Sequence, residues 1–210
     1  MKILEVKTLA HPEVKVIRYA RFRDERGYFT EHYRKSDFFA HPDMQFIQGY
    51  EFVQTNESSS QKGTIRGLHT QWNPFQGKLV RTVRGRMIDL VLDIRKNSAN
   101  FGKIIAYDMP SAPEQDFGEW IWIPPGFAHG NVYPEDGAIE YFCTGEYSPG
   151  NEAGIFPLAQ DIDWSLCEAP LKEVFDSYAR DNPPMSPKDK QGLTVEQWRN
   201  DPRADIFLNW

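Results

Sequence analysis

The sequence predicts a mainly β fold, a sandwich or barrel with a short helical cover at its C-terminal end. Three observations predict it. Many short strand-like runs, broken by Gly, Pro, Asn and Ser, fill the first two-thirds of the 210 residues. The clearest run, residues 86–93, has period two, with Ile88, Leu90 and Leu92 on one face and Met87, Asp89, Val91 and Asp93 on the other. Helical signals are few and gather mostly near the chain's end.

In chain order, strands are expected at 14–19, at 27–33 behind an Asp24-Glu25-Arg26-Gly27 turn, and at 46–55. Others follow at 77–83, 86–94, 103–108, 119–123 and 138–144. The apolar face of 86–94 belongs to a core. Its carboxylate face is either solvated or lines a pocket, and in the second case Asp89 backs a site. Ser36 reads as the cap of a short helical turn through Phe38 and Phe39. Leu171, Val174, Phe175 and Tyr178 stand at helical spacing, and Thr194 with Gln197 reads as a capping box. Asn182-Pro183-Pro184 separates those two helices. No repeat or domain boundary interrupts the chain, so one domain over 1–210 is expected, with its barrel core at about 14–150 and its cover at about 165–210.

Composition narrows the function. Hydrophobic residues are 40% and charged residues 26%, which suits a globular domain. Aromatics are 14%, which favours strands and pockets for flat ligands. A net charge of −6 argues against a polyanion partner such as nucleic acid, but a few local cations suffice for a small phosphorylated ligand. Two isolated cysteines, Cys143 and Cys167, make neither a disulfide framework nor a zinc cluster. No apolar run is long enough for a signal peptide or a membrane span, so a cytoplasmic protein is expected.

Three stretches carry chemistry. Arg66-Gly67-Leu68-His69-Thr70-Gln71, followed by Gln76-Gly77-Lys78-Leu79-Val80-Arg81, concentrates an Arg, a His and a Lys in a strand-forming region. Arg66 and His69 face opposite ways on a straight strand, but Gly67 permits a kink or bulge. A neutral His69 is a competent general base; the alternative is a surface His among solvated charges. In the second stretch an apolar strand, residues 119–123, runs into Pro124-Pro125-Gly126 and then His129. With Gly118 ahead of it, this spacing resembles the second motif of cupin proteins, which implies a double-stranded β-helix, or jelly-roll, barrel. A metal-binding cupin also carries a His-x-His pair, whereas this chain reads His69-Thr70-Gln71 and has Lys78 where a carboxylate ligand is expected. No metal is therefore expected. The third stretch, residues 140–149, puts Tyr141, Cys143 and Gly145 on one strand face; a buried structural Tyr is the alternative to a catalytic one.

Together these stretches resemble the dTDP-4-dehydrorhamnose 3,5-epimerase family. Its motifs match at 24–31, Phe52-Val53-Gln54-Thr55-Asn56, Arg66-Gly67-Leu68-His69, 76–81, 89–95, 122–130, 141–149 and Ser186-Pro187-Lys188-Asp189, in family order. The resemblance implies a cupin-like jelly-roll, a homodimer and cofactor-free epimerisation of a nucleotide-linked 4-keto-6-deoxy sugar. It implies His69 as general base, Tyr141 as the opposing acid, Asp189 as the carboxylate orienting the base, and Lys78 as the cation beside the ketone. It also implies that Arg66 and His129 contact sugar and phosphate, and that Tyr147 stacks on the base. Arg26, Glu31, Gln54, Thr55, Asn56, Glu152 and Lys188 match further ligand-contacting positions, some of them across the dimer.

The chain departs from the family pattern at Thr70, at the Trp72-Asn73-Pro74-Phe75 insert, at Glu146, over 165–185 and in a tail running to Trp210. These departures leave the nucleotide (dTDP, GDP or CDP), the sugar (hexose or heptose) and the inverted carbon (C3, C5 or both) open. Two rivals stand beside the epimerase: a metal-dependent cupin oxygenase, and a sugar-nucleotide binding protein without catalysis.

Overall fold

The computed structural model describes residues 1–208 and 210. Two antiparallel sheets face each other. One runs in the order β1 (Ile3–Thr8), β2 (Lys15–Ala20), β10 (Phe117–Ile123), β7 (Lys78–Arg84), β12 (Gly137–Cys143), β5 (Gln54–Ser60). The other runs β13 (Glu152–Gly154), β6 (Ile65–Gln71), β11 (Phe127–Val132), β8 (Arg86–Asp93), β9 (Ile104–Pro110). From β5 to β12 the chain changes sheet at every connection except β8 to β9. That is the expected jelly-roll, which packs two sheets face to face around an enclosed interior. A separate exposed hairpin joins β3 (Phe22–Asp24) to β4 (Gly27–Phe29).

The strand period of two sends side chains into three apolar layers. Val80, Val91, Ile105, Ile121 and Ile139 meet between the sheets. Ile88, Leu90 and Leu92 leave by the outer face of the five-stranded sheet and pack under Phe175, Trp198 and Phe207. Leu79, Trp120 and Trp122 leave by the outer face of the six-stranded sheet and pack under Phe38, Met44 and Ile47. Burying a side chain such as Phe207 contributes about 1.5–3 kcal/mol, so the C-terminal cover is held chiefly by its apolar face.

Covering both sheets explains the main differences from the sequence reading. Asp89 and Asp93 are fully buried, because the face opposite Ile88 and Leu90 points into the barrel and not to water. The strand expected at 46–55 is absent: Pro42–Ile47 is a 3-10 turn, β5 begins only at Gln54, and Phe46, Tyr50 and Phe52 pack on the outer aromatic layer. The run expected at 27–33 stops at Phe29. Ser36 lies inside α1 (Lys35–Ala40), whose cap position is Arg34, so Ser36 does not cap it. The expected C-terminal helices are α2 (Ala169–Ala179) and α4 (Val195–Asn200), and Thr194 with Gln197 makes both capping-box bonds. Strands β1, β11 and β13 and helix α3 (Pro187–Lys190) carried no clear signal.

Candidate active site

At one end of the barrel the interior turns polar. Two adjoining cavities of about 290 and 350 Å3 share His69, Lys78 and Tyr141, and each is of ligand size. One wall is the five-stranded sheet, with His69 on β6 and His129 on β11. The other is the six-stranded sheet, with Gln54 and Asn56 on β5, Lys78 on β7 and Tyr141 on β12.

Two glycines shape the first wall. His129 pairs with His69 and Asn131 with Arg66, so Gly67 and Leu68 together face Gly130 alone. This bulge turns Arg66 and His69 to the same cavity. Gly67 has φ +97°, and a Cβ there would lie 2.6 Å from the His129 carbonyl oxygen. A Cβ on Gly130 would lie 2.2 Å from the Arg66 carbonyl oxygen. The Arg66 guanidinium is steadied by bonds from Nε to Ser60 Oγ (2.7 Å) and from Nη2 to the Ser59 carbonyl (3.0 Å).

Each histidine has its own carboxylate. His69 Nε2 lies 2.7 Å from Asp189 Oδ1. The two atoms are at ion-pair distance but out of line for a full hydrogen bond. Asp189 reaches the cavity because Ser186-Pro187 starts α3: the Ser186 hydroxyl accepts the Asp189 N–H at 3.1 Å and Pro187 takes the first helical position. Burial pushes the Asp189 carboxyl up, but His69 and Ser186 outweigh it and hold the group below the usual carboxylate range. His129 Nε2 donates to Asp89 Oδ2 at 2.8 Å, and here both residues are buried. Burial pushes the Asp89 carboxyl up against the pull of His129 and Lys78.

On the facing wall, burial lowers Lys78 despite the opposing pull of Cys143, Asp89 and Glu152. Its ammonium lies 3.4 Å from the His69 carbonyl, so it spans the gap between the sheets. Burial raises the Tyr141 phenol, which keeps it protonated at neutral pH. Cys143 lies beside Lys78 in register, a free buried thiol that burial also pushes up.

The mouth is lined by Tyr147, Glu152 and Lys188. Tyr147 donates its hydroxyl to Glu152 Oε1 at 2.9 Å, and Lys188 pairs with the same oxygen at 2.5 Å. The Tyr147 N–H donates to Gln54 Oε1 at 2.8 Å. Three of the expected contact residues lie elsewhere. Thr55 points outward, because it alternates with the inward Gln54 and Asn56. Arg26 stands on the exposed hairpin and pairs with Asp24. Glu31 pairs with Arg34 and the N-terminal amine. Conversely, Ser58, Gln71, Gln76, Asn131 and Ser186 line the cavities without having been singled out. Ser58, Gln71 and Asn131 stand two residues beyond Asn56, His69 and His129, so the strand period was the available signal.

Among the described residues no three His, Cys, Asp or Glu side chains gather as a metal-binding group. A separate cavity of about 260 Å3 beside β2, β9 and β10 has its main charges already paired, Arg18 Nε with Glu119 Oε1 at 2.6 Å and Tyr107 with the same carboxylate. Among the described residues no helix is long and apolar enough to cross a membrane.

The sequence and fold are similar to those of known proteins. A family model described as dTDP-4-dehydrorhamnose 3,5-epimerase matches residues 8–197. The chain is 36% identical over 197 residues to the enzyme of that name from Neisseria gonorrhoeae, covering 92% of this chain but about half (53%) of that protein's length. It is 40% identical over 152 residues to the one from Sinorhizobium fredii, covering 71% of this chain and 73% of that protein. The solved dTDP-6-deoxy-D-glucose-3,5-epimerase of Legionella pneumophila, in complex with dTDP-4-keto-L-rhamnose, superposes with a TM-score of 0.75 at 31% identity, covering 91% of this chain and 93% of that one.

Proposed function

Because the chain belongs to the dTDP-4-dehydrorhamnose 3,5-epimerase family, we propose that it inverts carbon centres beside the ketone of a nucleoside-diphosphate 4-keto-6-deoxy sugar. One observation carries the reading: a His–carboxylate pair and a protonated tyrosine face one cavity from two different sheets. Inversion needs a base on one side of the carbon and an acid on the other, which a single histidine cannot supply.

The C4 ketone acidifies the hydrogens on C3 and C5. In this reading Asp189 holds the Nε2 proton of His69, which leaves Nδ1 free to accept a proton from carbon. The C–H bond breaks and its electron pair moves to the C4 oxygen, giving an enolate. The Lys78 ammonium, held between the two sheets, stabilises that charge. The Tyr141 hydroxyl then protonates the opposite face of the carbon. Loss of the proton from His69 to water and its recovery by the Tyr141 phenolate reset the site. The buried His129–Asp89 pair would hold the sugar end, and Arg66 the diphosphate. Tyr147, Gln54, Asn56, Glu152 and Lys188 would hold the nucleotide end.

The homodimer belongs to the same proposal. Phe22, Tyr28 and Phe29 on the hairpin are 51%, 44% and 67% exposed, so Arg26 rides on an arm that presents three large aromatic side chains outward, although Arg23 ties that arm to Asp116. A second copy would give that arm a surface and bring Arg26 and Glu31 to a neighbouring site. The reading further takes 1–210 as one folding unit, since Trp198 and Phe207 share a core with Leu90 and Ala128, and places it in the cytoplasm, where nucleotide sugars are made.

The test is proton NMR of dTDP-4-keto-6-deoxyglucose with the enzyme in deuterated water. Deuterium at C3 and C5 marks a double epimerase, and at one carbon a single epimerase. No exchange with dTDP-, GDP- or CDP-linked 4-keto sugars would refute the reading.

A further inference from the structure

We infer that the C-terminal tail braces the mouth of the cavity, acting through the 72–75 loop and Gln71 on the segment that carries Tyr147; calling that mouth the nucleotide end rests on the proposed function. The sequence holds two unexplained features, the insert and the tail, and the fold packs them together. Trp72 lies with its ring centroid 6.4 Å from those of Trp198 and Phe207. Phe75 lies 5.7 Å from Phe207 and 4.6 Å from Trp210. Trp198 and Phe207 are fully buried, and Trp198 Nε1 donates to the Ile94 carbonyl at 3.0 Å, which anchors the tail to the end of β8.

From the loop the connection passes by hydrogen bonds. The Gln71 side chain is buried and bonded at both ends of its amide: Nε2 donates to the carbonyls of Pro74 (3.1 Å) and Glu146 (2.9 Å), and Oε1 accepts the Ser148 N–H at 3.0 Å. Gln76 Nε2 donates to the Gly145 carbonyl at 2.9 Å. The two segments also touch, since a Cβ on Gly145 would lie 2.8 Å from both Phe75 O and Pro74 Cγ. Tyr147 stands between the residues so held. An amide is the side chain this clamp requires, because a carboxylate at position 71 would face two carbonyl oxygens. Gln71 is thus a positioning residue, and the apolar burial of the tail fixes the loop it bridges.

Two full-length variants test this, Phe75→Ala for the packing and Gln71→Met for the clamp. The readouts are amide hydrogen exchange over 145–148 and the separate kcat and KM for the nucleotide sugar. Exchange at the Ser148 amide should quicken about tenfold or more in both variants, while β6 and β11 keep their protection. Phe75→Ala should raise KM about tenfold with kcat within about twofold. Wild-type protection over 145–148 in folded variants would overturn the brace, as would an unchanged KM. Should Phe75→Ala not fold, Gln71→Met decides. Should the wild type turn over no 4-keto sugar, the proposed function fails, and the exchange readout still decides the brace.

Discussion

The two histidine–aspartate pairs stand across one β-ladder from each other and are built differently. His69 is open to the cavity, and its carboxylate arrives from the C-terminal cover more than a hundred residues later in the chain. His129 is buried, and its carboxylate comes from the adjacent strand β8. The interactions of Asp189 outweigh its burial and favour its charge, whereas burial dominates at Asp89 and disfavours its charge. On the proposed function the same residue types therefore take two roles, an open pair that exchanges a proton with the ligand and a buried pair that forms a fixed hydrogen-bonding wall. Access and carboxylate environment, not residue identity, set the role.

The sharpest way to break this comparison is to remove each histidine in turn. His69→Asn should lower kcat by about 10²–10⁴-fold with nucleotide affinity preserved, the loss expected of a general base. His129→Asn should cost about tenfold, mostly in KM. Equal losses in steady-state assays would erase the distinction.

Lys78→Met probes the wall opposite both pairs. Loss of the enolate partner should lower kcat about 10²–10³-fold. Because burial disfavours the Lys78 ammonium, the variant should also melt higher, by about 2–4 °C for each 1 kcal/mol gained in a chain of this size. Loss of activity together with a lower melting temperature would contradict that account of Lys78.

Asp189→Asn should reduce kcat by about 10²-fold, since the amide no longer fixes the His69 tautomer. The smallest effects concern stability against pH, where the pairs have opposite signs. The folded pKa of Asp189 is depressed, so its contribution is present above the ordinary carboxylate value of about 3.9 and fades as pH falls through the lower folded value. The folded pKa of Asp89 is raised, so its favourable contribution belongs to acid and is lost as pH rises through the raised value. Asp189→Asn should therefore destabilise most at neutral pH, with a deficit that closes in acid. Asp89→Asn should gain relative stability towards neutral pH. Melting curves from pH 3 to 8 check both signs.

Much of this was legible in the sequence and some was not, for physical reasons. His69, Lys78, Tyr141 and Asp189 lie in motifs long enough to be read. The strand period, applied strictly, finds the inward Asn131 and removes Thr55. Pattern alone left the placing of Arg66 and His69 open, because a bulge overrides the period there. The fate of Asp89 was hidden because a strand covered on both faces looks half-exposed when its inner face is polar. The aromatic run 46–55 imitates a strand, but its rings serve the outer layer of the six-stranded sheet. Arg26 and Glu31 lie far from the cavity in a single chain, which no pattern within that chain reveals.

The most direct test of two walls with two roles is Tyr141→Phe in deuterated water, following deuterium uptake and inversion on the same sample. The account predicts that uptake continues from the His69 side while inversion falls at least about 10²-fold. Uptake and inversion falling together, or inversion persisting at the wild-type rate, would contradict it.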